Sequence, residues 1–130
     1  MTNIAVLVDR DSVHPGDDYS SHEVEIEISE SMRTSELLQL AKETCPLANI
    51  SGGKATWFAY AGYWINRKNI AVLPQQWTSP KFLLDESLLA SELFEGVEKI
   101  ITFRYWCQID PDVIYKALET NSELPDKYGL

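Results

Sequence analysis

Three glutamates alternate with three apolar residues in one short segment, Glu23-Val24-Glu25-Ile26-Glu27-Ile28. Residues that alternate in this way lie on opposite faces of a β-strand, so the apolar side chains face a core and the carboxylates line the other face about 6.6 Å apart. One interpretation is an exposed edge strand whose charge prevents pairing with other chains. The other is an anionic face for a basic partner, which would include the neighbouring acids Asp9, Asp11, Asp17, Asp18 and Glu30.

The charge of the chain is unevenly distributed. Twenty acidic and 11 basic residues give a net charge of −9. Residues 9–30 contain eight acids and one base, whereas residues 44–84 contain four bases and no acid. We therefore expect an electrically two-sided molecule unless the fold interleaves these segments, and this asymmetry affects partner choice and association rate more than the fold.

The acid-free segment contains a second candidate surface of aromatic and basic side chains, namely Trp57, Tyr60, Tyr63, Trp64, Arg67, Lys68 and Trp77. Such residues dominate the binding energy of protein interfaces, and they also stack on the bases of single-stranded nucleic acid. A protein partner is favoured, because a net charge of −9 repels phosphates at long range. Alternation makes both sides of the strand near Trp57 apolar, so at least one side awaits a partner or another element of the chain.

The residues that could bind a metal lack a recognised spacing. His14 and His22 flank Asp17 and Asp18, but this segment contains no Cys and no calcium-loop pattern. A solvated polar turn is therefore the favoured interpretation. We predict no metal and no cofactor.

Nucleophilic catalysis also finds little support. Cys45 and Cys107 form no Cys-x-x-Cys pair, so we expect free thiols that fill the core. With both histidines in one polar loop, a Ser or Cys has few ways to meet a base. We predict a protein without enzymatic activity, and a small enzyme or a nucleic-acid binder is the less favoured alternative.

The length of 130 residues and the apolar content of 45% are typical of one globular domain, which we place over residues 1–130. The apolar stretches fall short of the about 20 residues that span a bilayer. No basic residue precedes the apolar run at residues 4–8, which argues against a secretory signal. We therefore expect a cytoplasmic location.

The order of elements follows from periodicity and turn residues. Strands are predicted at residues 4–8, 23–28 and 99–107, two or three further short strands among residues 55–61, 63–65 and 70–73, and helical segments at residues 34–45, 85–94 and 110–120. Thr34 is the expected cap of the first helix, and Pro46 ends it. Asp110-Pro111-Asp112 is a strong start for the last helix, after which residues 121–130 form a tail.

This order over residues 4–106 resembles that of ubiquitin-like, β-grasp domains. The similarity includes Ile26-Glu27-Ile28-Ser29-Glu30 before the helix and Ile100-Ile101-Thr102-Phe103 as the closing strand. It implies an α+β fold in which a mixed sheet of four to five strands packs on one main helix. The core would occupy residues 1–107, followed by an extra C-terminal helix at residues 110–120, and such a scaffold commonly serves protein interaction.

The sequence thus predicts a non-catalytic protein-binding module. The favoured form is an acidic inhibitor or immunity-type protein that neutralises a basic partner, such as a toxin nuclease, through the acidic face. The alternative is an adaptor or scaffold subunit that binds through the aromatic surface. The two differ in their response to salt, which weakens an anionic interface and hardly changes an aromatic one.

Overall fold

A six-stranded mixed sheet with helices on both faces forms the protein. The computed structural model describes residues 2–13, 22–48, 50 and 52–126. The strands are β1 (Asn3–Arg10), β2 (Val24–Ser29), β3 (Trp57–Ala61), β4 (Lys68–Val72), β5 (Lys81–Phe82) and β6 (Ile100–Tyr105). The helices are α1 (Thr34–Thr44), α2 (Ala90–Leu93) and α3 (Pro111–Glu119). The α+β class predicted from the sequence is confirmed.

The strand order across the sheet is β2-β1-β6-β3-β4-β5. β1 pairs antiparallel with β2 and parallel with β6, and β6 pairs antiparallel with β3. The first and last strands of the chain are therefore neighbours in the middle of the sheet, and β2 and β5 are its edges. Six strands form instead of four or five because the segment after Trp77 adds the two-residue β5 to β4.

The main core lies between one face of the sheet and α1. Val6 and Val8 of β1, Ile101 and Phe103 of β6 and Leu37 of α1 are all 0% exposed. These strand residues alternate with residues of the opposite face, as the period of a strand requires. α1 begins one residue earlier than predicted, since Arg33 and not Thr34 occupies the cap position, and the N–H of Arg33 donates to Glu36 Oε1 at 3.3 Å.

α3 packs on the opposite face of the sheet. Ile114 and Leu118 form a second cluster with Phe58, Tyr60 and Val72 of β3 and β4. The predicted cap of this helix is confirmed, because Asp110 Oδ1 accepts a hydrogen bond from the N–H of Asp112 at 2.9 Å. The chain itself thus covers the second apolar side of β3.

The segment predicted as a strand at residues 63–65 is instead part of a tight turn, with a short 3-10 helix over Trp64–Asn66. Gly62 begins the turn with a φ of +86°, a conformation that favours glycine. A Cβ at Gly62 would lie 2.9 Å from Cβ of Val97, so the close approach of two loops also requires this glycine. Within the described ranges, no helix is long and apolar enough to cross a membrane.

Candidate protein-binding surface

The face of the sheet opposite α1 is covered on one side and open on the other. α3 covers β3 and β4, and the cluster beneath it includes no side chain of β2, β1 or β6 among the described residues. Ala5, Glu25 and Glu27 of the strip that β2, β1 and β6 form are exposed. Neighbouring residues in register point to the same face, so Glu25, Leu7 and Ile100 form one row across this strip. The open strip, which we call the open face, is the first candidate binding surface.

The predicted glutamate row lies on the open face at one edge of the sheet. Glu25 is opposite Leu7 and Glu27 is opposite Ala5, and both glutamates are exposed. Glu23, also exposed, directly precedes β2. Glu27 Oε1 accepts a hydrogen bond from Asn3 Nδ2 at 3.2 Å, which does not neutralise its charge.

The other predicted acids occupy different environments. Asp11 Oδ2 accepts hydrogen bonds from Arg104 Nε at 2.9 Å and from the N–H of Tyr105 at 3.0 Å, so its charge is compensated. Asp9 Oδ1 accepts from the N–H of Arg10 at 2.8 Å, and Glu30 is half-buried beyond the end of β2.

Asp17, Asp18 and His14 lie outside the described residues. Among the described residues of the predicted acidic face, exposed carboxylates lie next to one another only in the row of Glu23, Glu25 and Glu27.

A second candidate surface is the turn between β3 and β4. Tyr63 is 55% exposed, Trp64 39% and Ile65 94%, and we call these three residues the exposed turn. They are three of the four large apolar side chains that the described residues expose, the fourth being Val113 on α3. Three consecutive side chains of this kind form an apolar patch, which in proteins often marks an interaction site.

Asn66 and Arg67 fix the backbone of the exposed turn. Asn66 Oδ1 accepts from the N–H of Tyr63 at 3.1 Å, and Asn66 Nδ2 donates to Glu98 Oε2 at 3.2 Å. Arg67 Nη1 donates to the carbonyl oxygen of Trp64 at 3.0 Å. These hydrogen bonds restrain the turn through its own ends and through the loop before β6.

Two guanidinium groups lie close to the ring of Trp64. The Cζ atom of Arg67 is 3.9 Å from the centroid of the indole ring, and that of Arg104 is 4.8 Å from it. Arg104 also lies 5.9 Å from the ring of Trp106, so cations and indoles alternate across this end of the open face. Such contacts contribute about 0.5 to 2 kcal/mol each, depending on exposure.

Burial and neighbouring groups shift the pKa values of these two arginines in opposite directions. Burial lowers the pKa of Arg67, and the positive charge of Arg104 adds to this effect. Burial alone would also lower the pKa of Arg104, but the Asp11 carboxylate and the Tyr60 hydroxyl outweigh it and raise the pKa. Both guanidiniums remain charged at neutral pH.

The structure separates the residues of the predicted aromatic surface. Tyr63, Trp64 and Arg67 lie together at the exposed turn. Trp57 is 1% exposed and faces the main core, so it does not form part of a surface. Tyr60 is 5% exposed under Trp64, with 5.6 Å between the ring centroids.

Trp77 and Lys68 also lie apart from the exposed turn. Trp77 is half-buried and packs with the cluster under α3. Lys68 Nζ donates to the carbonyl oxygens of Glu92 and Glu95, at 3.3 and 2.7 Å, and so caps the end of α2. Both side chains therefore have structural contacts within the chain.

Sequence reasoning missed Ile65, Arg104 and Trp106. The composition of residues 63–65 predicts a strand, whereas Ile65 lies in a turn and is 94% exposed. Arg104 and Trp106 lie on one side of the strand predicted at residues 99–107, and nothing local indicates that Arg104 meets Trp64, about 40 residues earlier. Their signal was the polar and aromatic character of that side of the strand.

The glutamates and the arginines occupy the same face of the sheet. Glu25 on β2 and Tyr60 on β3 are separated by β1 and β6, which corresponds to about 14 Å for strands about 4.8 Å apart. Instead of two sides of the molecule, the glutamates and these two arginines thus form two neighbouring zones of one face. Ala5, Leu7 and Ile100 lie between them.

The described residues contain no group of three His, Cys, Asp or Glu side chains that could hold a metal ion. A cleft of about 220 Å³ lies beside the end of α1, between Pro46, Trp57 and Trp77, with Lys42 as its ionisable lining residue. This volume is below the about 300 Å³ of small ligand sites.

Comparison of the sequence with protein-family profiles and with curated proteins gave no match.

Proposed function

We propose that this protein is a non-catalytic protein-binding module and that the exposed turn is its main contact surface. The observation that carries the proposal is the exposure of Tyr63, Trp64 and Ile65 on a turn held by Asn66 and Arg67. Aromatic residues and arginine are the side chains that most often dominate interface energies. This corresponds to the adaptor form of the function predicted from the sequence.

The rigidity of the exposed turn supports this function. Binding orders loops and side chains, and this ordering opposes association. Here the hydrogen bonds of Asn66 and the stacking of Arg67 and Arg104 on Trp64 already restrict the turn. A partner would therefore lose little of its binding energy to ordering these side chains.

The strand order is consistent with the proposed β-grasp-like arrangement. A central parallel pair of the first and last strands, antiparallel neighbours on both sides and one main helix across a face are the features that support it. We propose the cytoplasm as the place of action.

The first test is capture of partners from a lysate of the source cells by wild-type protein and by Ile65→Asp. Val113→Asp is the matched control, because Val113 is also exposed, at 47%, but lies on α3. We expect Ile65→Asp to reduce the recovery of a specific partner about tenfold or more, and Val113→Asp to leave it unchanged. Equal recovery with Ile65→Asp and wild type would contradict the proposed surface.

The second candidate function is an acidic inhibitor or immunity-type protein that neutralises a basic partner, such as a toxin nuclease. The exposed row of Glu23, Glu25 and Glu27 on the edge strand favours it. Replacing Glu25 and Glu27 with Lys should slow association with such a partner about tenfold or more at low salt, measured by stopped-flow fluorescence. An unchanged rate would eliminate this candidate.

A further inference from the structure

β2 is an edge strand whose outer side pairs with no strand among the described residues. The N–H of Glu30 donates to the carbonyl oxygen of Thr2 at 3.0 Å, immediately after the last registered pair of β1 and β2. Hydrogen-bonded and non-bonded pairs alternate along antiparallel strands. The backbone groups of Val24, Ile26 and Ile28 therefore point to β1, and those of Glu25 and Glu27 point outward.

The side chains of this edge have two different characters. Val24 and Ile26 are half-buried on the side of α1, and Ile26 packs against the main core. Glu25 and Glu27 are exposed on the open face. A strand added beside β2 would thus place its residues alternately next to apolar side chains and next to carboxylates.

We propose that β2 accepts an extended segment of a basic protein partner, in which lysine or arginine alternates with apolar residues. The backbone groups of Glu25 and Glu27 would pair with the segment, and their carboxylates would face its basic side chains. Its apolar side chains would extend the main core beside Val24 and Ile26. This inference rests on the second candidate function, the binding of a basic partner.

The same edge disfavours other strands. A second copy of β2, added in antiparallel orientation, would bring glutamates close to glutamates, and like charges at such positions are destabilising. The opposite edge, β5, is two residues long and carries the cation of Lys81, so it offers neither the length nor the charge for a basic strand. The glutamate row therefore selects the partner as well as attracting it.

The test uses the whole protein and a short capped peptide in which lysine and valine alternate. Binding is measured by titration in nuclear magnetic resonance spectra, and amide hydrogen exchange is then measured with the peptide bound. We expect the exchange of the Glu25 and Glu27 amides to slow about tenfold or more, because they gain hydrogen-bond acceptors. A peptide of the same composition with lysines and valines in separate blocks should bind about tenfold more weakly.

Charge-swapped proteins complete the experiment. The double variant Glu25→Lys and Glu27→Lys should lose the lysine–valine peptide and gain a glutamate–valine peptide. The matched control is Glu86→Lys with Glu123→Lys, which changes the net charge by the same amount at exposed residues outside β2. This control should bind the lysine–valine peptide as the wild type does.

The edge pairing would be overturned if the alternating and block peptides bound with equal affinity. It would also be overturned if the peptide slowed amide exchange in other elements and not in β2. If the wild type captures a basic partner and the Glu25→Lys and Glu27→Lys variant does not, the second candidate function would still be supported. Absence of both peptide binding and such capture would overturn both. Slower exchange of the Glu25 and Glu27 amides with the alternating peptide, but not with the block peptide, would support the inference.

Discussion

The two faces of the sheet are completed in different ways. On one face, α1 covers a continuous core that reaches from Ile28 on β2 to Ile70 on β4. On the other face, α3 covers the strip around Phe58 and Val72 and stops there. The difference follows the side chains: β3 is apolar on both sides, whereas β1 and β2 place Ala5, Leu7 and glutamates on their second side. Among the described residues, the second helix thus lies where the sheet offers apolar side chains on both sides.

The largest effect is expected from Leu37→Ala in the main core. Leu37 is 0% exposed between the sheet and α1, so the substitution removes buried methyl groups and leaves a cavity. We expect the free energy of unfolding to fall by about 3 to 5 kcal/mol, measured by urea denaturation. A loss below about 1 kcal/mol would mean that this face is not the dominant core.

The corresponding substitution on the other face, Ile114→Ala, sharpens the comparison. Ile114 is also 0% exposed, but the nine-residue α3 can move towards the sheet and reduce the cavity. We expect a loss of about 2 to 3 kcal/mol. In Ile114→Ala, amide hydrogen exchange should accelerate more in α3 than in β1 and β6. Equal acceleration in all three elements would show that both faces unfold as one unit.

A smaller effect is expected from Asp110→Ala, which removes the side-chain cap of α3. The Asp112 N–H loses its acceptor at 2.9 Å, and such caps contribute about 1 kcal/mol. The change should appear as a lower midpoint of thermal unfolding. Asp110→Asn serves as the control, since it keeps an acceptor and should retain most of the stability.

The smallest effect on stability near neutral pH concerns the two thiols. Burial raises the pKa of Cys45, with a further contribution from Asp9 that Arg10 opposes. Its contribution to stability is therefore fully present below the unfolded pKa and is lost as the pH rises through the folded value. At neutral pH, a disulfide reagent should modify the half-buried Cys107 about tenfold faster or more than Cys45.

Single-cysteine variants, Cys45→Ser and Cys107→Ser, assign the two rates in this experiment. The variant that retains Cys45 should react slowly, because its Sγ is buried and donates to the carbonyl oxygen of His22 at 3.3 Å. Equal rates in the two variants would contradict the placement of Cys45 in the main core.

The elements of the fold were predictable where a local pattern decides them. The alternation of residues 23–28 predicted β2, and the Asp-Pro-Asp signal predicted α3. The exposed turn was missed because Tyr63, Trp64 and Ile65 read as a strand by composition. The chain turns at Gly62, whose φ is +86°, and the close approach to Val97 that also requires this glycine is a tertiary contact.

The candidate site was less predictable than the fold. The glutamate row follows from periodicity, and its exposure on an edge strand is confirmed. The distinction between Trp57 and Trp64 does not follow from local sequence, because both are aromatic residues in one apolar segment. The compensation of Asp11 by Arg104 joins residues 93 positions apart, and no local rule indicates it.

The pairing of β1 with β6 also determines when the fold can be completed during synthesis. β1 begins at Asn3, but its parallel neighbour ends at Tyr105, so the centre of the sheet forms only after the whole segment between these two strands has left the ribosome. Such long-range pairing slows folding and leaves early strands unsatisfied for longer. In that interval the hairpin of β1 and β2 exposes Val6 and Val8, and the charges of Glu25 and Glu27 then disfavour its aggregation with other nascent chains.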